Sequence, residues 1–178
     1  MIFSSYKFIF LFFPIVFGIY CLLRKFKKLT FMKIWLVAAS LFFYGFGDKR
    51  FLSVLVFTAI FNFIVSRMLQ LKKTKNITRK ILIVISMAEN LGLLFYFKYT
   101  NFFLENVNRI FHSDIPMLKV ILPLGISFYT FPLISYAVDS YRREAQEYSF
   151  IDYMVFVTFF PQLIVGPVVT HSEIMPQL

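Results

Sequence analysis

The sequence predicts an all-α, multi-pass transmembrane helical bundle. It has about six apolar segments, the last a candidate re-entrant hairpin. Three observations lead there. First, 59% of the 178 residues are hydrophobic, 16% are charged, and 26 are phenylalanine. A soluble domain of this size lacks the interior to hide that much apolar surface. Second, the apolar residues fall into runs separated by clusters of cations. Third, the runs lack the alternation of an outer-membrane barrel strand. Helices are then the element that satisfies its own backbone in lipid. No Gly/Ser-rich or Pro-rich linker divides the chain, so residues 1–178 read as one domain.

The segments cover residues 8–23, 34–46, 51–66, 81–97, 120–138 and 153–169. Only Lys7 precedes the first, and no small-residue cleavage site follows, so it reads as a retained span and not a signal peptide. The first four have about 13–17 apolar residues, or roughly 20–26 Å at 1.5 Å per residue. A full crossing needs about 20 residues. Re-entrant segments and a locally thinned bilayer both fit that shortfall. The stretch 99–119 is the longest connection on the side opposite the main cation clusters. Asn101, Asn106, Asn108, Asp114 and Pro116 there mark turns or an interfacial helix. The fifth segment should kink at Pro132, which lacks an amide donor. The sixth is broken by Pro161, Gln162, Gly166 and Pro167.

The cations supply orientation. Arg24, Lys25, Lys27, Lys28 and Lys33 follow segment one; Arg67, Lys72, Lys73, Lys75, Arg79 and Lys80 follow segment three; Arg142 and Arg143 follow segment five. Lys7, Lys49, Arg50, Lys98, Arg109 and Lys119 fall to the other side. The positive-inside rule places the basic loops in the cytoplasm and the N-terminus outside the cell membrane. The net charge of +10 therefore sits at span ends, which argues against nucleic-acid binding. The single cysteine, Cys21, excludes an internal disulfide and reads as a buried, inert thiol. No metal or other cofactor is indicated.

Several strings carry a family resemblance. They are Phe3-Ser4-Ser5 with Phe10-Leu11-Phe12-Phe13-Pro14; Ala39-Ser40-Leu41-Phe42-Phe43-Tyr44-Gly45; and Asn90-Leu91-Gly92-Leu93-Leu94 with Tyr96-Phe97-Lys98-Tyr99. Next come Leu124-Gly125-Ile126-Ser127-Phe128-Tyr129-Thr130-Phe131, Ile134-Ser135-Tyr136 with Asp139 and Tyr141-Arg142, and Phe160-Pro161-Gln162-Leu163 with Gly166-Pro167. In order and spacing they resemble the membrane-bound O-acyltransferase family, in its alginate O-acetyltransferase-like branch. The resemblance implies acyl transfer in the membrane, from an activated donor to a hydroxyl of a cell-envelope polysaccharide. The acyl group in this branch is often acetyl. It also implies envelope acetylation subunits as partners beside membrane lipid. The family's catalytic histidine lies well beyond the Gly166-Pro167 region. The chain is therefore expected to be an N-terminal portion, inactive alone. Pro132 departs from the family, where many relatives carry Gln.

Within the chain, no catalytic residue is assigned. His171, followed by Glu173, is the nearest candidate base, since imidazole titrates near neutrality. The plainer reading is an interfacial histidine. Glu89 sits mid-segment, where an ionisable group is costly and marks function or an interhelical bond. Pro161, Gln162, Gly166 and Pro167 are candidates for a substrate path, because freed carbonyls and bare backbone line cavities at membrane depth. Ser127 and Tyr129, two apart, do not share a helix face. A transporter or channel remains an alternative, tested by uptake that responds to Glu89→Gln. A non-catalytic membrane subunit is another, tested by co-purification of an envelope enzyme.

Overall fold

The computed structural model describes residues 5–47 and 49–165, which form helices and no strand. A π segment, Phe8–Phe12, leads into α1, Phe13–Lys25. Then come α2, Leu29–Gly45, and α3, Lys49–Gln70. Helix α4, Asn76–Leu94, continues through a π segment, Phe95–Tyr99, into α5, Thr100–Phe111. Helices α6, Ile126–Arg142, α7, Phe150–Thr158, and α8, Phe160–Val165, complete the order.

Within the described residues, each of the six apolar segments falls largely on helix, with two corrections. The helices outrun the apolar runs, because cations continue their ends. Phe8–Lys25, Lys49–Gln70 and Asn76–Phe111 are long and apolar enough to cross a membrane, whereas Leu29–Gly45 and Phe150–Leu163 are shorter. The fifth segment begins at Ile126 and not at residue 120. Pro123 restricts Leu122 to extended backbone, and Gly125 is left-handed at φ +72°. The chain after Tyr99 is helical to Phe111, ending at left-handed His112. Its π segment and the Thr100 hydroxyl bond to the Tyr96 carbonyl (2.8 Å) carry α4 on into α5, the interfacial helix of the two expected alternatives. The resulting 36-residue rod is about 54 Å long. Helix α5 has exposed Phe102, Phe103, Ile110 and Phe111, in keeping with an interfacial helix.

The return strap after α5 is held by asparagines. Asn108 Oδ1 accepts from the Ile115 amide at 3.0 Å while its Nδ2 donates to the Ile115 carbonyl at 2.9 Å. Asn101 does the same for Leu118, at 3.0 and 2.8 Å. Both side chains satisfy backbone groups that no helix or sheet serves.

Helix α6 is central, packing on α3, α4, α7 and α8. Pro132 sits inside it without ending it. Leu55, Ala59, Leu133, Tyr136 and Tyr153 form the buried core. A second cluster joins Phe8, Phe12, Phe43 and Phe160. Helix α1 packs mainly on α2 and its own π segment, with Val16 in the same cluster as Phe160, and Phe13, Ile15, Phe17 and Leu22 on it are exposed. Cys21 lies on the same helix and is exposed, which corrects its expected burial.

The three basic loops meet at one end of the bundle. Lys33 at the start of α2 pairs with Asp152 at the start of α7 (2.7 Å). Arg67 at the end of α3 pairs with Glu147 before α7 (3.0 Å). Arg79 at the start of α4 donates to the Tyr141 carbonyl at the end of α6. At the other end, the Tyr44 hydroxyl donates to the Leu124 carbonyl (2.8 Å) and Lys98 to the Ser127 hydroxyl (3.4 Å).

Candidate substrate-path site

Two polar features interrupt the apolar bundle. The first joins α3 and α4. Thr58, Asn62 and Ser66 stand four apart on α3, and Ser86 and Asn90 four apart on α4, so each set shares a helix face. The Thr58 hydroxyl donates to Glu89 Oε1 (2.9 Å), and Asn62 Nδ2 donates to Glu89 Oε2 (3.1 Å). Asn62 Oδ1 in turn accepts from the Ser86 hydroxyl (2.7 Å) and from Asn90 Nδ2 (2.8 Å). Asn62 and Asn90 are fully buried and Glu89 is half-buried. Asn90 Oδ1 and the Ser66 and Tyr153 hydroxyls are buried without a hydrogen-bond partner among the described residues.

The second feature is the break between α7 and α8. Helix α7 opens with a side-chain cap, in which Ser149 Oγ accepts from the Asp152 amide at 3.2 Å. Asp152 also binds Lys33, which fixes α7 against α2. The helix stops after Thr158, and α8 restarts at Phe160 with Pro161 in its first turn. Proline suits that place because its missing amide has no helical partner there. The first amide of α8, Phe160, donates instead to Ser40 Oγ on α2 (3.2 Å), a fully buried acceptor. Lys33 and Ser40 along α2 thus meet Asp152 and Phe160 along α7–α8, so the two run side by side in the same direction. Residues 150–163 span about 20 Å at helical rise, away from the basic end. As far as Val165 the segment is a broken helix and not a hairpin.

Helix α8 is seated by Gly125. A Cβ built there would lie 2.1 Å from the Leu163 carbonyl oxygen, so no larger residue fits without moving one backbone. The buried Gln162 has neither amide atom hydrogen-bonded among the described residues. Two orphan groups at such a site cost free energy unless something else supplies partners. Pro161 is exposed beside it. Pro161 also helps line a cleft of about 180 Å³ with Phe13, Val16, Phe17, Leu36 and Phe160.

Of the residues singled out from sequence, Glu89, Pro161 and Gln162 lie in this arrangement. Gly166, Pro167 and His171 lie outside the described residues. Glu89 and Gln162 do not bond one another; each borders the core around α6. Ser127 and Tyr129 point apart, as their spacing requires: Ser127 meets Lys98 and Tyr129 is buried. Sequence reasoning missed Thr58, Asn62 and Ser86. Their signal was present, as four-residue spacing of polar groups inside apolar runs.

Comparison with known proteins adds a strong likeness. The chain is 39% identical over 204 aligned residues to a peptidoglycan O-acetyltransferase of Helicobacter pylori, covering 99% of this chain and 38% of that protein. It is 32% identical to a probable alginate O-acetylase of Pseudomonas aeruginosa, covering 99% of this chain and 34% of that protein. A probable alginate O-acetylase of Azotobacter vinelandii is 31% identical, with 99% and 36% covered. The chain therefore spans about a third of the length of these relatives. No family model and no solved structure matches it.

Proposed function

Because the chain belongs to the membrane-bound O-acyltransferase family, in the branch of the peptidoglycan and alginate O-acetyltransferases, we propose that it builds part of the helical scaffold of such an enzyme. The enzyme transfers an acetyl group from an activated donor to a hydroxyl of a cell-envelope polysaccharide. The reading rests on identity along essentially the whole chain to proteins bearing those names.

In this reading, the chain supplies scaffold and substrate path, and the acid/base histidine comes from sequence beyond residue 167. The break at Thr158–Phe160 interrupts the helix and sets α8 apart from α7, and Gln162 offers both a donor and an acceptor to the path. Pro161 starts the same short helix, and Gly166 and Pro167, which follow in sequence, are the remaining candidates for the path. His171 is the nearest base in sequence should the downstream histidine prove absent. Glu89 supports the path from α4, its carboxylate held by Thr58 and Asn62. The basic end faces the cytoplasm, where the donor arrives, and the N-terminus and α5 face outward, where the acceptor and any envelope acetylation subunits lie.

The test is acetyl transfer by the protein from its complete reading frame, read as base-labile acetate on isolated envelope polysaccharide. Gln162→Ala is expected to lower transfer at least about tenfold, the loss of one or two hydrogen bonds to a reactant. Unchanged transfer in Gln162→Ala at wild-type abundance removes Gln162 from the path, and no acetate from the wild type rejects the reading. Orientation is checked by thiol labelling of cysteines placed at residues 28 and 114. Labelling of residue 28 from outside intact cells would reverse the assigned sidedness.

A further inference from the structure

Beside the turn that joins α1 to α2 lies the apolar cleft of about 180 Å³, between Phe13, Phe17 and Tyr20 on α1, Leu36 on α2, and Phe160 and Pro161 on α8. Gln162 is not among its lining residues, and acetyl transfer gives the cleft no part. We propose that the cleft and the turn together hold one anionic phospholipid, its acyl chain in the cleft and its phosphate on the cations of the turn. The inference goes beyond the acyltransferase reading and rests only on α1 and α2 lying in a membrane.

The turn supplies the charge. Arg24 and Lys25 lie in the last turn of α1, Lys27 is left-handed at φ 53°, and Lys28 immediately precedes α2. All four are exposed. At the same end of the bundle Lys33 is held by Asp152, Arg67 by Glu147 and Arg79 by the Tyr141 carbonyl. None of the four turn cations pairs with an acidic side chain among the described residues; the Lys28 ammonium stands 5.8 Å over the Phe31 ring. A guanidinium takes a phosphate through two parallel hydrogen bonds, and each ammonium adds a point charge. Basic clusters at the ends of membrane helices hold anionic headgroups in this way.

The cleft supplies the place for the chain. Its α1 wall, from Tyr20 to Phe13, covers roughly 6 to 16 Å of helix below Arg24, and Leu36 lies about 12 Å along α2 from Lys28. A phosphate on the turn therefore has its acyl chain starting at the depth of the cleft. Phe13 and Phe17 stack at 5.8 Å and Phe17 and Tyr20 at 6.5 Å, so that wall is a continuous ladder of rings. Behind it Trp35 Nε1 donates to the Val16 carbonyl at 3.1 Å and ties α2 to α1. Hydrocarbon is as apolar as the cleft, so burial alone gives a lipid chain no preference for it. Charge selects the lipid, and the rings fix where its chain lies. An acidic protein segment has the anion without the tail, and a neutral lipid has the tail without the anion. Because Phe160 and Pro161 line the cleft, the seated chain also packs on α8.

Trp35 is the only tryptophan of the chain and is bonded to a residue of the cleft, so it reports occupancy. The test places the chain in phosphatidylcholine nanodiscs in which a minor fraction of the lipid is phosphatidylglycerol or phosphatidylcholine with brominated acyl chains, and reads quenching of Trp35 fluorescence. Brominated phosphatidylglycerol is expected to show an apparent affinity about fivefold or more above brominated phosphatidylcholine, the effect of one or two cations on an anionic lipid, and to lose that advantage in high salt. Arg24→Gln combined with Lys28→Gln should abolish the preference; both side chains are exposed, so the fold is spared. Lys72→Gln combined with Lys73→Gln, in the turn between α3 and α4, should leave it unchanged. Leu36→Phe, which fills the cleft, should reduce quenching by phosphatidylglycerol, and Phe17→Ala, which removes the exposed middle ring of the wall, should do the same if Leu36→Phe fails to fold. Equal quenching by the two lipids, a preference that survives loss of Arg24 and Lys28, or one lost equally with Lys72 and Lys73 overturns the proposal. A preference indifferent to the cleft variants takes the chain out of the cleft and overturns it as well.

Discussion

Gly125→Ala is the sharpest probe of how the broken segment is seated. The residue is left-handed, and an alanine in that conformation costs about 1–2 kcal/mol. The added Cβ would stand 2.1 Å from the Leu163 carbonyl oxygen, where real Cβ atoms stay beyond 3.0 Å. Helix α8 or the turn before α6 must then retreat by roughly 1 Å, an overpacking strain of about 1–3 kcal/mol. The total expected loss is about 2–5 kcal/mol. Gly92→Ala is the matched control: Gly92 is helical, and its added Cβ meets nothing within 4 Å. That change should be neutral or stabilise by up to about 1 kcal/mol. The assay is reversible unfolding of each variant in mixed micelles by increasing sodium dodecyl sulfate, followed by far-ultraviolet circular dichroism. A Gly125→Ala protein within about 0.5 kcal/mol of wild type would refute the packing of α8 on Gly125. In the complete enzyme the same substitution should depress acetyl transfer, because α8 carries Gln162.

Three further outcomes follow from the same contacts. Asn62→Leu strips Glu89 of one donor and Ser86 and Asn90 of their shared acceptor, so it should destabilise by about 1–3 kcal/mol in the same unfolding assay. Ser66→Ala, which removes a hydroxyl without a partner among the described residues, should change stability by less than about 0.5 kcal/mol, and equal effects of the two would dismiss the network. Ser40→Ala removes the hydroxyl that accepts from the Phe160 amide and should cost about 1 kcal/mol, with amide hydrogen exchange at Phe160 accelerated; unaltered exchange would disprove that bond. A double-mutant cycle on Lys33→Met and Asp152→Asn should give a coupling of about 1–2 kcal/mol, since the pair is only a fifth to a quarter exposed; zero coupling would mean α7 is not tied to α2 there.

Much of this architecture was legible because lipid imposes simple rules. The six apolar runs and three cation clusters foretold the helices and the shared basic end. Pro161 foretold the break. The misreadings have local causes. Apolar residues were counted, whereas α3 extends over Lys49 and Arg50 at one end and Arg67–Gln70 at the other. The helix through Phe95–Tyr99 was cut short because nothing in its sequence announces a π segment. The start of α6 was set too early because Val120–Leu122 are apolar, although Pro123 and Gly125 already forbid a continuous helix. Residue type favours burial of Cys21, yet α1 packs mainly on α2 and leaves Cys21 exposed. The polar network escaped notice because its members lie on two helices and only their pairing shows that the spacings match.

The two polar features answer different physical needs, and that difference assigns their roles. Both Glu89 carboxylate oxygens already accept bonds, from Thr58 and from Asn62. A reactant at Glu89 would have to displace donors that also lock α3 to α4. Its stronger function is therefore to hold those helices in register, as buried polar contacts in membranes do. Gln162 is the opposite case: it sits on a helix whose first amide and whose Leu163 backbone are both anchored, while its own amide has no hydrogen-bond partner among the described residues. A fixed backbone carrying an unsatisfied donor and acceptor is how a binding group is presented before its ligand arrives. Substitutions at Glu89 should thus act through stability and be rescued by Glu89→Gln, which keeps a hydrogen-bonding head. Those at Gln162 should lower acetyl transfer at unchanged stability. A Gln162 variant that unfolds as readily as an Asn62 variant would collapse the distinction.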